Sequence, residues 1–243
     1  MFFVFNKPKI YSYLVVFSTV VVLFFTASVL SEANNMETLI TSSEIKEESE
    51  YIDKFNTKEK EVAIIINCFE NDNNIERIFE ILDSEQIEIN FALYGEWVKK
   101  YPEIVKKMDE KTNCILTMSN NYKNLSTLNY NDSVKEISEG VNKIDTLLKK
   151  QIRLFKIPCS VENDNVLKAC KEKNLKVIRG NIDTLDYQGI EAETIWNNIK
   201  VKLTNGDIIN MNSNSKYIIE ELKLVIKELK NREYKIVALD KVY

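Results

Sequence analysis

The strongest constraint on the fold is a regular alternation of short apolar runs with amphipathic segments, from residue 61 to residue 243. Residues 62–66 form a continuous apolar run, which is typical of a strand buried on both faces. Residues 73–83 follow with apolar side chains at helical spacing. Because this order repeats about seven times, it predicts a parallel sheet covered by helices. That number of units favours a closed or nearly closed α/β barrel over an open Rossmann sheet.

The individual elements follow from the same periodicities. Strands are predicted at 62–66, 87–93, 114–116, 153–155, 176–178, 207–209 and 235–238, and helices at 73–83, 96–108, 132–150, 163–173, 191–203 and 216–230. The last helix shows charges between its inward apolar positions, so no site is assigned to it. In α/β barrels the working face lies at the carboxyl ends of the strands. Candidate site residues are therefore sought in 67–70, 94–96, 117–124, 156–160, 179–187 and 210–214.

The first 60 residues, about a quarter of the chain, have a different character. Residues 10–30 carry no charge and follow two lysines, Lys7 and Lys9. This length spans a bilayer, and the positive flank predicts a cytoplasmic N-terminus with the main domain outside. A long cleaved signal peptide is the alternative, and either interpretation exports the domain. The predicted organisation is a cytoplasmic segment at 1–9, a transmembrane signal-anchor at 10–30, an acidic stalk at 31–60 and the folded domain at 61–243. Within the stalk, six apolar residues could still dock onto the domain, namely Leu39, Ile40, Ile45, Tyr51, Ile52 and Phe55.

The chain contains no histidine. This excludes Ser-His-Asp and Cys-His nucleophilic sites, zinc sites that contain histidine, and a histidine acid or base. The formal net charge is −4, which leaves no broad basic face for nucleic acid, so no nucleic-acid partner is expected. Dinucleotide and P-loop motifs are also absent from the sequence.

Several short motifs occur in order at the predicted strand ends. They are residues 92–95 (ALYG) with 101–105 (YPEIV), residues 154–160 (LFKIPCS), residues 183–187 (DTLDY), residues 206–212 (GDIINMN) and residues 234–237 (YKIV). Together they resemble the polysaccharide deacetylases, the NodB-homology or carbohydrate esterase 4 (CE4) family, over residues 61–243. Residues 117–123 (TMSNNYK) are similar to the altered loop of the PdaB-type sporulation deacetylase-like branch. The resemblance implies a distorted (β/α)7–8 barrel of this type, preceded by one transmembrane helix.

The resemblance also implies a chemistry, which this sequence departs from. Active members remove N-acetyl groups from glycans with a divalent metal such as zinc, an aspartate base and a histidine acid. The degenerate positions here are Asn67 for the base, Cys68, Met118 and Tyr122 for the metal ligands, Lys156 for an arginine, Cys159 for a tyrosine and Asn212 for the acid. The acidic pair Asp183 and Asp186 remains. An amide cannot accept the proton, and thioether and phenol groups are poor ligands for a hard cation. The expectation is a pseudoenzyme without a metal cofactor.

Three functions remain open at this point. The first is binding of a cell-wall or cortex glycan, or of an envelope protein, with Tyr94, Tyr122 and Tyr187 as sugar-stacking candidates. Trp97 is better explained as packing. The second is a working de-N-acetylase with unorthodox groups such as Cys68, Asp183 and Asp186. The third is a structural module with a vestigial pocket.

The four cysteines show no C-x-x-C spacing, which gives little support for structural zinc. An even number in an exported domain allows disulfides, with Cys68 and Cys159 as the most plausible pair. Buried free thiols are the favoured interpretation, and Cys170 is expected in the core.

Overall fold

The computed structural model describes residues 51–111, 113–158 and 160–243. The predicted cytoplasmic segment and anchor, most of the predicted stalk, and Cys159 lie outside the described residues. Within the described ranges, the helices are all too short or too polar to cross a bilayer.

The described residues form nine strands and seven α-helices. The strands are β1 Tyr51–Ile52, β2 Glu61–Cys68, β3 Asn90–Tyr94, β4 Cys114–Ser119, β5 Leu154–Lys156, β6 Lys176–Ile178, β7 Ile182–Asp183, β8 Ile208–Asn212 and β9 Lys235–Ile236. The helices are α1 Ile75–Glu85, α2 Gly95–Lys100, α3 Pro102–Glu110, α4 Tyr130–Leu148, α5 Asp164–Glu172, α6 Ala192–Lys200 and α7 Ile218–Asn231.

The strands pair in the order β1-β6-β5-β4-β3-β2-β8-β7, and β9 pairs with β2. Every one of these pairings is parallel. The predicted parallel α/β architecture is therefore confirmed, as a curled half-barrel. The described strands β1 and β7 end this path without pairing with each other. The register places Asn67 at the end of β2 opposite Ala92 on β3 and Asn212 on β8.

The sheet begins earlier in the chain than the predicted domain boundary at residue 61. Tyr51 and Ile52 pair with Val177 and Ile178 of β6, and Phe55 is buried. The Phe55 amide donates to the Gly206 carbonyl at 3.0 Å. A Cβ at Gly206 would lie 2.0 Å from the Phe55 carbonyl oxygen, and the φ of Gly206 is +80°. Only glycine fits this contact, which fastens the segment after β1 to the start of β8.

The core is centred on β2, whose apolar residues 62–66 have no exposed surface. This agrees with a continuous apolar run buried on both faces. The predicted helix at 96–108 is instead two helices, which meet at Tyr101. Pro102 is the first residue of α3, where the missing N–H is not needed and the preceding residue is driven out of helical geometry.

Candidate functional site

A pocket of about 360 Å³ lies at the carboxyl ends of β2, β3, β4, β5, β7 and β8. This is the face on which the sequence analysis placed the site. Eight of the predicted site residues line it, namely Asn67, Tyr94, Met118, Tyr122, Lys156, Asp183, Tyr187 and Asn212. Four further lining residues were not predicted, namely Phe69, Pro158, Ser160 and Asn210. The signal for these four was present, because each lies within or beside a predicted strand-end segment.

Two predicted site residues, Cys68 and Asp186, are buried and do not line the pocket. Cys68 is fully buried, and its thiol contacts the Ile66 carbonyl at 3.8 Å. Burial raises the pKa of this thiol to about 12, so the neutral form dominates at neutral pH. Cys68, Cys114 and Cys170 are buried free thiols, as favoured from the sequence. Cys159 lies outside the described residues, but Cys68 is a free thiol, so the predicted disulfide between Cys68 and Cys159 is wrong.

Asn67 and Asn212 form an amide pair at the pocket floor. The Asn67 amide nitrogen donates to the Met211 carbonyl at 3.1 Å and to the Asn212 side-chain oxygen at 3.3 Å. Asn212 in turn donates to Asp186 through its backbone N–H at 2.7 Å and through its amide nitrogen. The Asn67 side-chain oxygen is buried and accepts no hydrogen bond from the described residues. The floor is thus built from neutral amides, with the Asp186 carboxylate one layer deeper.

Behind this floor lies a pair of buried acids that the sequence analysis did not anticipate in full. Asp186 has no exposed surface, and burial raises its pKa to about 6 although Asn212 opposes this by hydrogen bonding. Glu221 on α7 is also fully buried, and burial together with Asp186 raises its pKa to about 9. The described residues offer neither Glu221 carboxyl oxygen a hydrogen bond of normal geometry. The Thr184 hydroxyl faces this carboxyl but donates to the Asn210 carbonyl at 2.9 Å.

The sequence analysis assigned no site residue to α7, whereas the structure places the buried acid Glu221 on this helix. Glu221 lies on the same inward face as Ile218, Leu222 and Val225. Its spacing from these residues was the available signal.

Aromatic side chains form one wall of the pocket. Tyr122 is 78% exposed and stacks on Phe69, with ring centroids 5.8 Å apart and an interplanar angle of 21°. Tyr94 meets the Tyr122 ring edge-on at 5.5 Å but is itself 7% exposed. Tyr187, in the segment that follows β7, also lines the pocket and is 61% exposed. Of the three predicted sugar-stacking tyrosines, Tyr122 and Tyr187 present open faces, and Tyr94 acts mainly as support. Trp97 is buried and donates to the Asn71 carbonyl at 3.4 Å, in agreement with packing.

Residues 54–178 match the family model described as polysaccharide deacetylase. This range covers just over half of the chain and contains Asn67, Tyr94, Met118, Tyr122 and Lys156. The chain belongs to the polysaccharide deacetylase family.

Known members of the family agree with this assignment. A peptidoglycan-N-acetylglucosamine deacetylase of Bacillus cereus is 26% identical over 174 residues, which are 69% of this chain and 62% of that protein. The chain spans about three fifths of the length of the curated relatives it matches. A solved peptidoglycan N-acetylglucosamine deacetylase superposes with a TM-score of 0.76 at 22% identity, covering 81% of this chain and 94% of the other.

A CE4 family pseudoenzyme from Bacillus anthracis superposes with a TM-score of 0.74 at 23% identity, covering 79% of this chain and 68% of that one. These structural likenesses show the fold.

Polysaccharide deacetylases commonly use a divalent metal. The donors at the positions that the sequence resemblance assigns to the metal ligands do not fit one. Met118 offers a thioether that is 4% exposed, Tyr122 a phenol directed to solvent, and Cys68 a buried neutral thiol. Hard divalent cations prefer carboxylate, carbonyl and water oxygens, and zinc prefers imidazole or thiolate. Within residues 51–111, 113–158 and 160–243, no three acidic or cysteine side chains converge in a way that could hold a metal.

Proposed function

We propose that this chain is a non-catalytic polysaccharide deacetylase homologue that binds an N-acetylated cell-wall glycan in the strand-end pocket. One observation carries the proposal. The described residues contain four exposed large hydrophobic side chains, and Tyr122, Leu185 and Tyr187 are three of them. Both tyrosines line the pocket, and Leu185 lies two residues before Tyr187. Exposed apolar surface concentrated at one concave site, with a few polar groups beneath it, is typical of a binding site.

The polar groups in the pocket suit a sugar ligand. Asn67, Asn210 and Asn212 carry amides that can donate to and accept from hydroxyl and acetamido groups. Asp183 adds a carboxylate acceptor at the pocket edge. Aromatic rings such as Tyr122 and Tyr187 offer a flat apolar face together with a polar hydroxyl. The Bacillus cereus relative is named for peptidoglycan N-acetylglucosamine, which supports the same class of glycan as the ligand here.

The same groups support binding without hydrolysis. Amide hydrolysis by the family needs a base for water, a Lewis acid for the carbonyl and a proton for the leaving amine. Asn67 cannot act as the base, because a carboxamide does not accept a proton at neutral pH. Asn212 cannot act as the acid, because a carboxamide N–H does not release its proton at neutral pH. Its amide nitrogen also donates already to Asp186. The buried Cys68 thiol, with its raised pKa, is a poor nucleophile as well.

The test is a binding measurement on the full-length protein in mild detergent. Calorimetry with N-acetylated chito-oligosaccharides and co-sedimentation with purified peptidoglycan would both report the dissociation constant. We expect Tyr122→Ala and Tyr187→Ala each to raise that constant about tenfold, since each removes one open stacking face. Val201→Ala is the matched control, because Val201 is 75% exposed, directly follows α6 and does not line the pocket. No binding by the unmodified protein, or equal binding by all variants, would contradict the proposal.

We further propose that residues 10–30 anchor the protein in the membrane with the glycan-binding domain on the outside of the cell. The uncharged length of this segment and the preceding Lys7 and Lys9 support this orientation. Protease added to intact cells should then digest the domain while leaving the N-terminus protected. A domain that is shielded until the cells are lysed would contradict this topology.

A further inference from the structure

Tyr122 combines high exposure with a fixed orientation. Its ring is 78% exposed, yet it stacks on Phe69 and meets Tyr94 edge-on. A ligand that stacks on a pre-oriented ring loses less conformational entropy than one that must order it. The backbone that carries Tyr122 must therefore be held in place by other groups.

The chain turns sharply at the end of β4, three residues before Tyr122. Ser119, the last residue of β4, has a φ of +129°, which is rare for a residue with a side chain. Helix α4 lies directly against this turn at Gly140. A Cβ at Gly140 would lie 2.5 Å from both the carbonyl carbon and the carbonyl oxygen of Ser119. Such strain persists only where the surroundings over-determine it, and it concentrates at functional sites.

Glu136 on α4 contacts the residues on both sides of Tyr122, namely the backbone of Asn121 and the side chain of Lys123. Its carboxylate accepts from the Asn121 backbone N–H at 3.0 Å and from the Lys123 ammonium group. Glu136 is 2% exposed, although charged side chains are rarely buried unless they are paired. Burial raises the pKa of Glu136, but the hydrogen bonds from Lys123 and Asn121 outweigh this effect, so the pKa lies below its usual value.

Neighbouring side chains of α4 act one residue earlier in the loop. The Asn120 amide donates to Glu139 at 2.7 Å and accepts from Lys143 at 2.6 Å. These contacts fix Asn120, whereas the contacts of Glu136 fall on the two residues that flank Tyr122. Glu136 is thus the group in this network that is placed to set the orientation of the ring.

We propose that Glu136 is a positioning residue for ligand binding, which pre-orients the Tyr122 ring by holding the backbone of Asn121 and the side chain of Lys123. This inference rests on the proposed glycan-binding function and assigns a role to a residue that lies outside the pocket. The proposal requires that Glu136 affect the affinity for the ligand by way of its effect on the Tyr122 ring.

A double-mutant cycle on the full-length protein tests that requirement. We expect Glu136→Ala to raise the dissociation constant for a chito-oligosaccharide about fivefold or more, and to have less than a twofold effect in the Tyr122→Ala background. Glu136→Gln should stay within about twofold of the unmodified protein, because its amide oxygen can still accept from the Asn121 N–H. Glu103→Ala, on the exposed face of α3, is the control and should change nothing. Equal effects of Glu136→Ala with and without the Tyr122 ring would overturn the proposal.

A second measurement does not depend on the ligand. Amide hydrogen exchange should accelerate at least about tenfold at Asn121 and Lys123 in Glu136→Ala, with α1 and α7 unchanged. The Asn121 N–H donates to Glu136, and the Lys123 N–H donates to the Asn121 carbonyl at 2.8 Å. Unchanged exchange at these two amides would overturn the positioning role, even if the unmodified protein binds no glycan and the proposed function fails separately. Should Glu136→Ala not fold, Glu136→Leu in the same exchange experiment decides the question by the same criterion.

Discussion

The buried acid Glu221 allows a quantitative test of how this domain responds to pH. Its pKa lies at about 9 in the folded protein, against 4.5 for an ordinary glutamate. Because the folded pKa is raised, the folded state binds a proton that the unfolded state has already released between these two values. The associated stability is fully present below pH 4.5 and is lost as the pH rises toward 9. Asp186, raised to about 6, acts in the same direction over a lower pH range.

The size of the effect follows from the shift. Each unit of pKa difference corresponds to about 1.4 kcal/mol, so at pH 8 the shift at Glu221 lowers the unfolding free energy by at most about 5 kcal/mol relative to acid pH. Glu221→Gln has nearly the same volume and does not ionise. We expect this variant to match the unmodified protein within about 1 kcal/mol near pH 5 and to exceed it by several kcal/mol at pH 8.

Urea denaturation at pH 5, 6.5 and 8, followed by the fluorescence of the buried Trp97 and Trp196, would measure this difference. With an m-value of about 2–3 kcal/mol per molar, the midpoint should rise by roughly 2 M at pH 8. Glu220→Gln is the control, because Glu220 is the exposed neighbour on α7 and this substitution removes the same charge. A gap between Glu221→Gln and the unmodified protein that does not change with pH would refute the reasoning.

Three further outcomes follow from the same structure. Gly140→Ala should lower the unfolding free energy by about 1–3 kcal/mol in urea titrations, because its Cβ would overlap the Ser119 backbone, whereas Ser138→Ala on the same helix should be nearly neutral. In the folded protein at pH 8, Cys68, Cys114 and Cys170 should resist alkylation, as read by peptide mass spectrometry, and should react fully in urea. Acetate release from N-acetylated glycans with added zinc or cobalt should be undetectable for the unmodified protein, Asn67→Asp and Asn212→His alike. Turnover by the unmodified protein would establish an unorthodox hydrolase.

The order of the elements could be predicted because each long element satisfies one clear period. The run at 62–66 can only be a buried strand, and the predicted strand at 176–178 matches β6 without any shift. The two-residue strands β1 and β7 could not be predicted, since two residues show no period. They exist because neighbouring strands offer them free backbone groups. Residue 102 shows the opposite case, where a proline signal for a helix start was available in the sequence but was not used.

The same holds for the site. Residues placed by a local pattern could be predicted from the sequence, whereas those placed by long-range contacts could not. Strand-end positions such as Asn67 and Asn212 could be placed on one face, because the carboxyl ends of parallel strands meet at the same edge. The burial of Glu136 was not predicted from its helix, because a glutamate usually faces solvent, and the one signal for Glu221 was its spacing from the inward apolar residues of α7. Their burial depends on partners 13 to 15 residues away for Glu136, and on the Asp186 loop for Glu221.

The sequence resemblance implies a joint replacement of the catalytic groups, and this replacement has a physical reason that appears when the substitutions are considered one at a time. A metal site without its cation would leave several carboxylates facing one another in a partly buried pocket, and such like charges repel strongly at low effective dielectric. In this chain Asn67 and Asn212 instead form a neutral pair that satisfies the Asp186 carboxylate through hydrogen bonds. Returning a carboxylate at position 67 alone would add a charge close to Asp183 and Asp186 without adding the cation that balances it. We infer that each catalytic group of the family stabilises the pocket only in the presence of the others. Where the metal ligands are replaced, as the resemblance implies for this chain, amides at positions 67 and 212 are expected to be the more stable choice.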